Sequence, residues 1–149
     1  MYQLQRTDSA NPDFQQLVMQ LDKDLAIRDG AEHAFFAQFN KITHIQHVVL
    51  VYEGALAVGC GAIKAYAPNV LEVKRMYVPP THRGLGIASL VLGELERWAK
   101  ELGAEKCVLE TGIRQPEAIR LYQKNNYQSI PNYGQYEGVA SSVCFEKML

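Results

Sequence analysis

The stretch Val78-Pro-Pro-Thr-His-Arg-Gly-Leu-Gly-Ile-Ala88 lies between two segments of different periodicity. Ahead of it, VLEVKRMYV (70–78) reads as a strand that ends at Pro79-Pro80. Behind it, from Gly84, apolar residues recur with a helical period: Ile87, Val91, Leu95, Trp98 and Leu102 are predicted on one face, and Gly103 closes the helix. Glycines where a strand turns into a helix let the backbone approach a ligand closely, and the free N–H groups of a helix start attract anions. Tight strand–helix packing would also use two such glycines, but the local charge favours an anion. From Val73 to Gly93 there is no acid, while Lys74, Arg75 and Arg83 are cationic. The predicted ligand carries phosphate. The loop has neither the Gly-Lys-Ser/Thr of a Walker loop nor Gly-x-Gly-x-x-Gly.

Working outward, YQLQRT alternates like a short strand. Asn11-Pro12 is a helix start, with Phe14, Leu17, Val18, Leu21 and Leu25 at helical spacing up to Arg28 and a stop at Gly30. AEHAFFAQFN is a second, aromatic helical pattern holding His33, Phe35, Phe36 and Phe39. HVVLVYE and ALAVGCGAIKAY form a hairpin around Glu53-Gly54, and Pro68-Asn69 turns into the strand 70–78. After the long helix come the strand EKCVLET, the helix PEAIRLYQKN, and two closing strands, YQSI and SSVCFEKML. The order predicts an α/β (α+β) fold, a mixed, mostly antiparallel sheet of about six to seven strands flanked by helices.

A chain of 149 residues with 48% hydrophobic and 21% charged residues is read as one domain, 1–149, with a core of its own. A net charge of −1 argues against binding nucleic acid by bulk charge. The longest nearly apolar run, Gly54 to Ile63, is too short and glycine-rich for a membrane span. MYQLQRTDSANPDF lacks the apolar core of a leader. Three cysteines without CxxC spacing suit a reducing compartment, so a cytoplasmic protein is expected. Cys107 and Cys144 fall inside strands and read as packed thiols. The four histidines lack zinc-site spacing, so no metal is expected.

Arg83, Gly86 and Ala88 after an extended strand resemble the Arg/Gln-x-x-Gly-x-Gly/Ala signature of the GNAT acetyltransferases. LETGIRQPEAIRLYQKNNY is similar to that family's second block. The resemblance runs nearly the length of the chain, and its two motifs together are specific. It implies transfer of an acetyl group from acetyl-CoA, the co-substrate, to a primary amine by direct attack. It implies that backbone N–H groups of Arg83, Gly84, Leu85, Gly86, Ile87 and Ala88 hold the pyrophosphate. Met76, Tyr77 and Val78 would bind the pantetheine arm as an added strand would, one N–H polarising the thioester carbonyl. Tyr122 would donate a proton to the departing thiolate, and Glu72 would serve as general base. Unaided by the resemblance, Tyr122 reads as a core tyrosine and Glu72 as a partner of Lys74 on the same strand face.

Two positions depart from the pattern. Gln115 stands where Asn is common, which bears on its contact to the pantetheine region. Asn126 replaces a glycine, and Asn tolerates the left-handed conformation the turn needs. For the acceptor, Arg28, Arg75, Tyr133 and Tyr136 are candidates, and a small amine bearing a carboxylate, such as an amino acid, would suit them. The phenylalanines read as filling between helix and sheet. The expected partners are therefore a small-molecule amine, no nucleic acid and no membrane, with a homodimer left open. A CoA-binding sensor or interaction module without catalysis is the alternative.

Overall fold

The computed structural model describes residues 1–37 and 44–149; Phe39 lies outside them. Among the described residues seven strands form one sheet: β1 (Tyr2–Thr7), β2 (His47–Glu53), β3 (Leu56–Ala67), β4 (Val70–Tyr77), β5 (Lys106–Gly112), β6 (Gln128–Ile130) and β7 (Ser142–Met148). Their spatial order is β1-β2-β3-β4-β5-β7-β6, antiparallel at every junction except the parallel pair β4–β5. The helices are α1 (Pro12–Asp29), the short α2 (His33–Ala37), α3 (Ile87–Glu101) and α4 (Pro116–Lys124). The mixed, mostly antiparallel sheet with flanking helices agrees with the sequence expectation.

Local signals act where they were read. The Asn11 side chain accepts hydrogen bonds from the N–H groups of Asp13 and Phe14, capping α1, whose Phe14, Leu17, Val18 and Leu21 are buried. That helix covers one face of the sheet, packing on Val48, Leu50, Cys60 and Tyr77. α3 covers the other through Ile87, Val91 and Leu95. Gly59 and Gly61 of β3 permit the approach: a Cβ on Gly59 would stand 2.6 Å from Ile87, and one on Gly61 2.8 Å from Val91. One residue of the predicted α3 face is corrected. Leu102 caps the helix and is 48% exposed, while Leu92 and Ala99 are buried, because a period of 3.6 carries a long stripe around the helix.

Two irregularities of β4 shape the centre of the molecule. Lys74 pairs with Ala62 and Tyr77 with Cys60, so β4 carries one extra residue, and Arg75 sits there at φ 59°. This is a β-bulge. It places Val73 and Met76, three residues apart, in the same core layer, whereas regular alternation would put them on opposite faces. The second irregularity is the brevity of the β4–β5 ladder. Its register runs over Val70↔Lys106, Leu71↔Cys107 and Glu72↔Val108 and then ends, although β5 stays paired with β7 to Gly112. Past Glu72 the two parallel strands splay apart.

Candidate active site

A cavity of about 530 Å³ fills the splay between β4 and β5. It joins two regions of different chemistry. One is the loop from β4 into α3. Gly84 and Gly86 adopt φ 79° and 81°, and Gly86 is the N-cap of α3 with no side chain bonded across the helix start. Beyond the immediate chain neighbours no atom lies within 4 Å of a Cβ built on either glycine, so the backbone is open to close approach where the chain enters α3. Arg83 braces the approach: its Nε donates to the Val78 carbonyl at 2.8 Å, and its guanidinium lies over the Tyr77 ring. Gly84, Gly86, Ile87 and Ala88 line the cavity, whereas Leu85 is exposed and does not. Met76 and Tyr77 of β4 and Val78 just beyond it line the cavity where β5 has left the ladder, and Gln115 lines it at the start of α4. The Gln115 side chain makes no cap bond, so the N-terminus of α4 is uncapped.

The other region lies deeper. Glu72 is buried, its Oε2 accepting a 2.6 Å hydrogen bond from the Tyr133 hydroxyl and its Oε1 standing 3.6 Å from Lys74 Nζ. The Lys74 pairing expected of a regular strand face is therefore present, and so is a tyrosine that strand spacing could not show. Burial pushes the Lys74 ammonium down, while Glu72 opposes that shift. Tyr122 has the core packing that one reading of the sequence expects, its ring against Tyr127 and Phe145, and it also reaches the cavity. Burial, and next the charge of Glu110, push its phenol above the usual range, so it is protonated at neutral pH.

The residues offered for the acceptor divide. Arg75 and Tyr136 line the cavity, but Arg28 and Tyr133 do not, Tyr133 acting instead through Glu72. Both arginines are already paired, Arg75 with Asp22 and Arg28 with Asp24 and Glu117. A substrate carboxylate would have to share or displace those partners. Phe36 packs with Tyr136 against Cys144 and also borders the cavity, while His33 and Phe35 stay outside it. Asn126 adopts φ 71°, the left-handed turn expected of it.

Sequence reasoning missed Glu110. This β5 carboxylate lines the cavity and accepts a 2.8 Å hydrogen bond from Ser142 Oγ. Burial pushes it up to about 7, partly offset by Ser142 and Lys74. Its signal was a lone acid ending the apolar run Cys107-Val108-Leu109.

Comparison with known proteins agrees with this architecture. The acetyltransferase (GNAT) family model matches residues 8–127. A relative named IAA acetyltransferase, from Azospirillum brasilense, is 35% identical over 137 residues, covering 90% of this chain and 89% of its own. A Klebsiella pneumoniae crystal structure designated an acyl-CoA N-acyltransferase superposes with a TM-score of 0.84 at 28% identity, over 100% of this chain and 98% of that one. PaiA N-acetyltransferase from Thermoplasma acidophilum, in complex with coenzyme A, shares the fold: TM-score 0.73, 16% identity, 100% of this chain and 99% of that one.

Proposed function

The chain belongs to the acetyltransferase (GNAT) family and is an acyltransferase, and from that premise we propose that it transfers the acetyl group of acetyl-CoA to a primary amine of a small molecule. The observation that carries this reading is the opening between β4 and β5 beside the glycine-bounded start of α3. An anion at the α3 N-terminus and an extended arm along Met76–Val78 leave the reacting carbon inside the cavity. Coenzyme A has that shape, a pyrophosphate followed by an extended chain that ends in sulfur.

Binding follows from the backbone. N–H groups from Arg83 to Ala88 receive the pyrophosphate, and Gln115 borders the arm. An N–H of the Met76–Val78 segment polarises the thioester carbonyl, stabilising the oxyanion as the amine attacks. No covalent enzyme intermediate is needed, since the amine reaches the thioester directly. Tyr122 supplies the proton that the departing thiolate requires. Glu72 is the carboxylate at which the acceptor ammonium docks and through which its proton leaves, directly or by relay. The acceptor enters from the side of Asp29, Phe36 and Tyr136, opposite the glycine loop.

The whole of 1–149 is read as one catalytic domain. Among the described residues no helix is long and apolar enough to cross a membrane. A cytoplasmic setting is proposed from the three cysteines, which are buried thiols. The test is a panel of primary amines, with and without carboxylates, assayed with acetyl-CoA for release of the CoA thiol. Amine-dependent release supports the proposal. Binding of CoA with no release from any amine would make the protein a CoA-binding module instead.

A further inference from the structure

Val73 and Met76 pack in the core layer beneath α3, so the bulge leaves two successive cations, Lys74 and Arg75, on the opposite face of β4, toward α1. Regular alternation would have divided them. The two are used differently. Arg75 pairs with Asp22 of α1, and its side chain is only 1% exposed, so it borders the cavity without offering it an accessible charge. Arg28 is held by Asp24 and Glu117. The Lys74 side chain is 9% exposed and lines the cavity, with Glu72 and then Glu110 favouring its charge against the cost of burial. Among the described residues that border the deep end, Lys74 is thus the one whose positive charge the cavity meets. Its ammonium stands 3.6 Å from Oε1 of Glu72, so opposite charges lie side by side on one wall.

We infer that the acceptor is an amino acid whose carboxylate is received by Lys74, the specificity-determining residue of the acceptor end. This deepens the acetyl-transfer reading and rests on it. An acceptor that brings only an ammonium to Glu72 sets a second positive charge beside Lys74. Both wall groups are under a tenth exposed, so like charges there repel with little screening by solvent. An acceptor with a carboxylate next to its amine presents the complementary pair. Its ammonium faces Glu72, its carboxylate faces Lys74, and the four charges alternate in sign. The spacing on the wall also limits the acceptor. Charges 3.6 Å apart match poles separated by one or two carbons, as in α- and β-amino acids. An ω-amino acid with a long chain between its poles does not fit that spacing. The ammonium of Lys74 suits such a ligand for a further reason: it is a compact charge on a flexible stem, able to follow a small carboxylate.

The test uses the full chain, acetyl-CoA and matched acceptors: alanine, β-alanine and phenylalanine, each against its carboxamide and its decarboxylated amine. Release of the CoA thiol is the readout. For the best of the three bodies, kcat/KM of the amino acid should exceed that of both analogues by about 10- to 10²-fold, the range that a hydrogen bond to a charged group supports. Lys74→Met removes the charge and keeps an unbranched chain, whereas Lys74→Arg keeps the charge. The ratio of acid to carboxamide should fall to about one in Lys74→Met, chiefly through KM of the amino acid, and stay high in Lys74→Arg. Loss of packing would lower both acceptors alike and leave that ratio unmoved. Calorimetry with CoA shows that each variant is folded. Equal kcat/KM for acid and carboxamide in wild type, which needs no variant, would overturn the inference and leave acetyl transfer standing. A wild-type preference that persists in Lys74→Met would overturn the role of Lys74. No release from any amine would overturn the acetyl-transfer reading, and this one with it.

Discussion

The Tyr133 hydroxyl donates a 2.6 Å hydrogen bond to Oε2 of Glu72, across 61 residues of sequence. It ties the turn before β7 to the carboxylate of β4 at the acceptor end of the cavity. Burial and then Glu72 push the Tyr133 phenol far above its usual range, so the proton stays on tyrosine and the bond is charge-assisted. Tyr133→Phe should therefore cost about 1.5–3 kcal/mol, the range for hydrogen bonds to charged groups. Urea denaturation would measure it, and a variant as stable as wild type would show that the bond is not formed in solution.

Tyr122→Phe tests the acid. The ring is held by Tyr127 and Phe145 whether or not it carries a hydroxyl, so the fold should persist. The expected result is a kcat lower by about 10²-fold or more with unchanged acetyl-CoA affinity, since general acid help contributes roughly 10²–10⁴-fold. Steady-state kinetics beside calorimetry separate the two quantities. An undiminished rate would leave Tyr122 as a packing residue only.

Gly86 requires two substitutions to separate strain from electrostatics. At φ 81° any side chain is strained, so Gly86→Ala should cost about 1 kcal/mol of stability, yet its methyl would meet open space and CoA binding should survive in part. Gly86→Glu adds a carboxylate at the anion site and should abolish binding. Equal CoA affinities for the two variants would rule out an anion site at this helix start.

Glu110 should leave a mark on stability. Burial raises it from 4.5 to about 7, so the folded state holds this proton more tightly than the unfolded chain does. Its stabilising contribution is then fully present below about pH 4.5 and is lost as pH rises through about 7. Relative to Glu110→Gln, wild type should lose on the order of 3 kcal/mol between those limits. Glu94, whose pairing with Arg97 and Arg6 holds it below the usual range, acts in the opposite direction. It is present in both proteins and cancels in the difference. Denaturant midpoints at a series of pH values give the comparison, and parallel curves for the two proteins would show that Glu110 titrates normally.

Features governed by a few neighbouring residues were legible in the sequence. Asn11 caps α1, Gly84 and Gly86 turn the chain into α3, and Asn126 takes φ 71°, because capping and backbone sterics act within about one turn of chain. The order of strands and helices was legible for the same reason, through alternation and the 3.6-residue period. The family motifs likewise marked the loop and the residues that line the cavity near it.

Tertiary structure decided what depends on distant neighbours. The bulge at Arg75 has no glycine to announce it and follows from pairing with β3 on one side and with Asp22 of α1 on the other. Arg28 and Arg75, which the resemblance offered to a substrate carboxylate, pair with acids distant in sequence that the fold brings next to them, Glu117 and Asp22. Glu110 was one acid in a strand until β4, β7 and α4 removed its water, and Glu72 had no visible partner beyond Lys74 until Tyr133 was folded onto it. Propensity and capping are short-range and can be read along the chain. Desolvation and charge pairing are set by whatever the fold brings within a few ångströms, and those are what shift the titration of the groups at the deep end of this cavity.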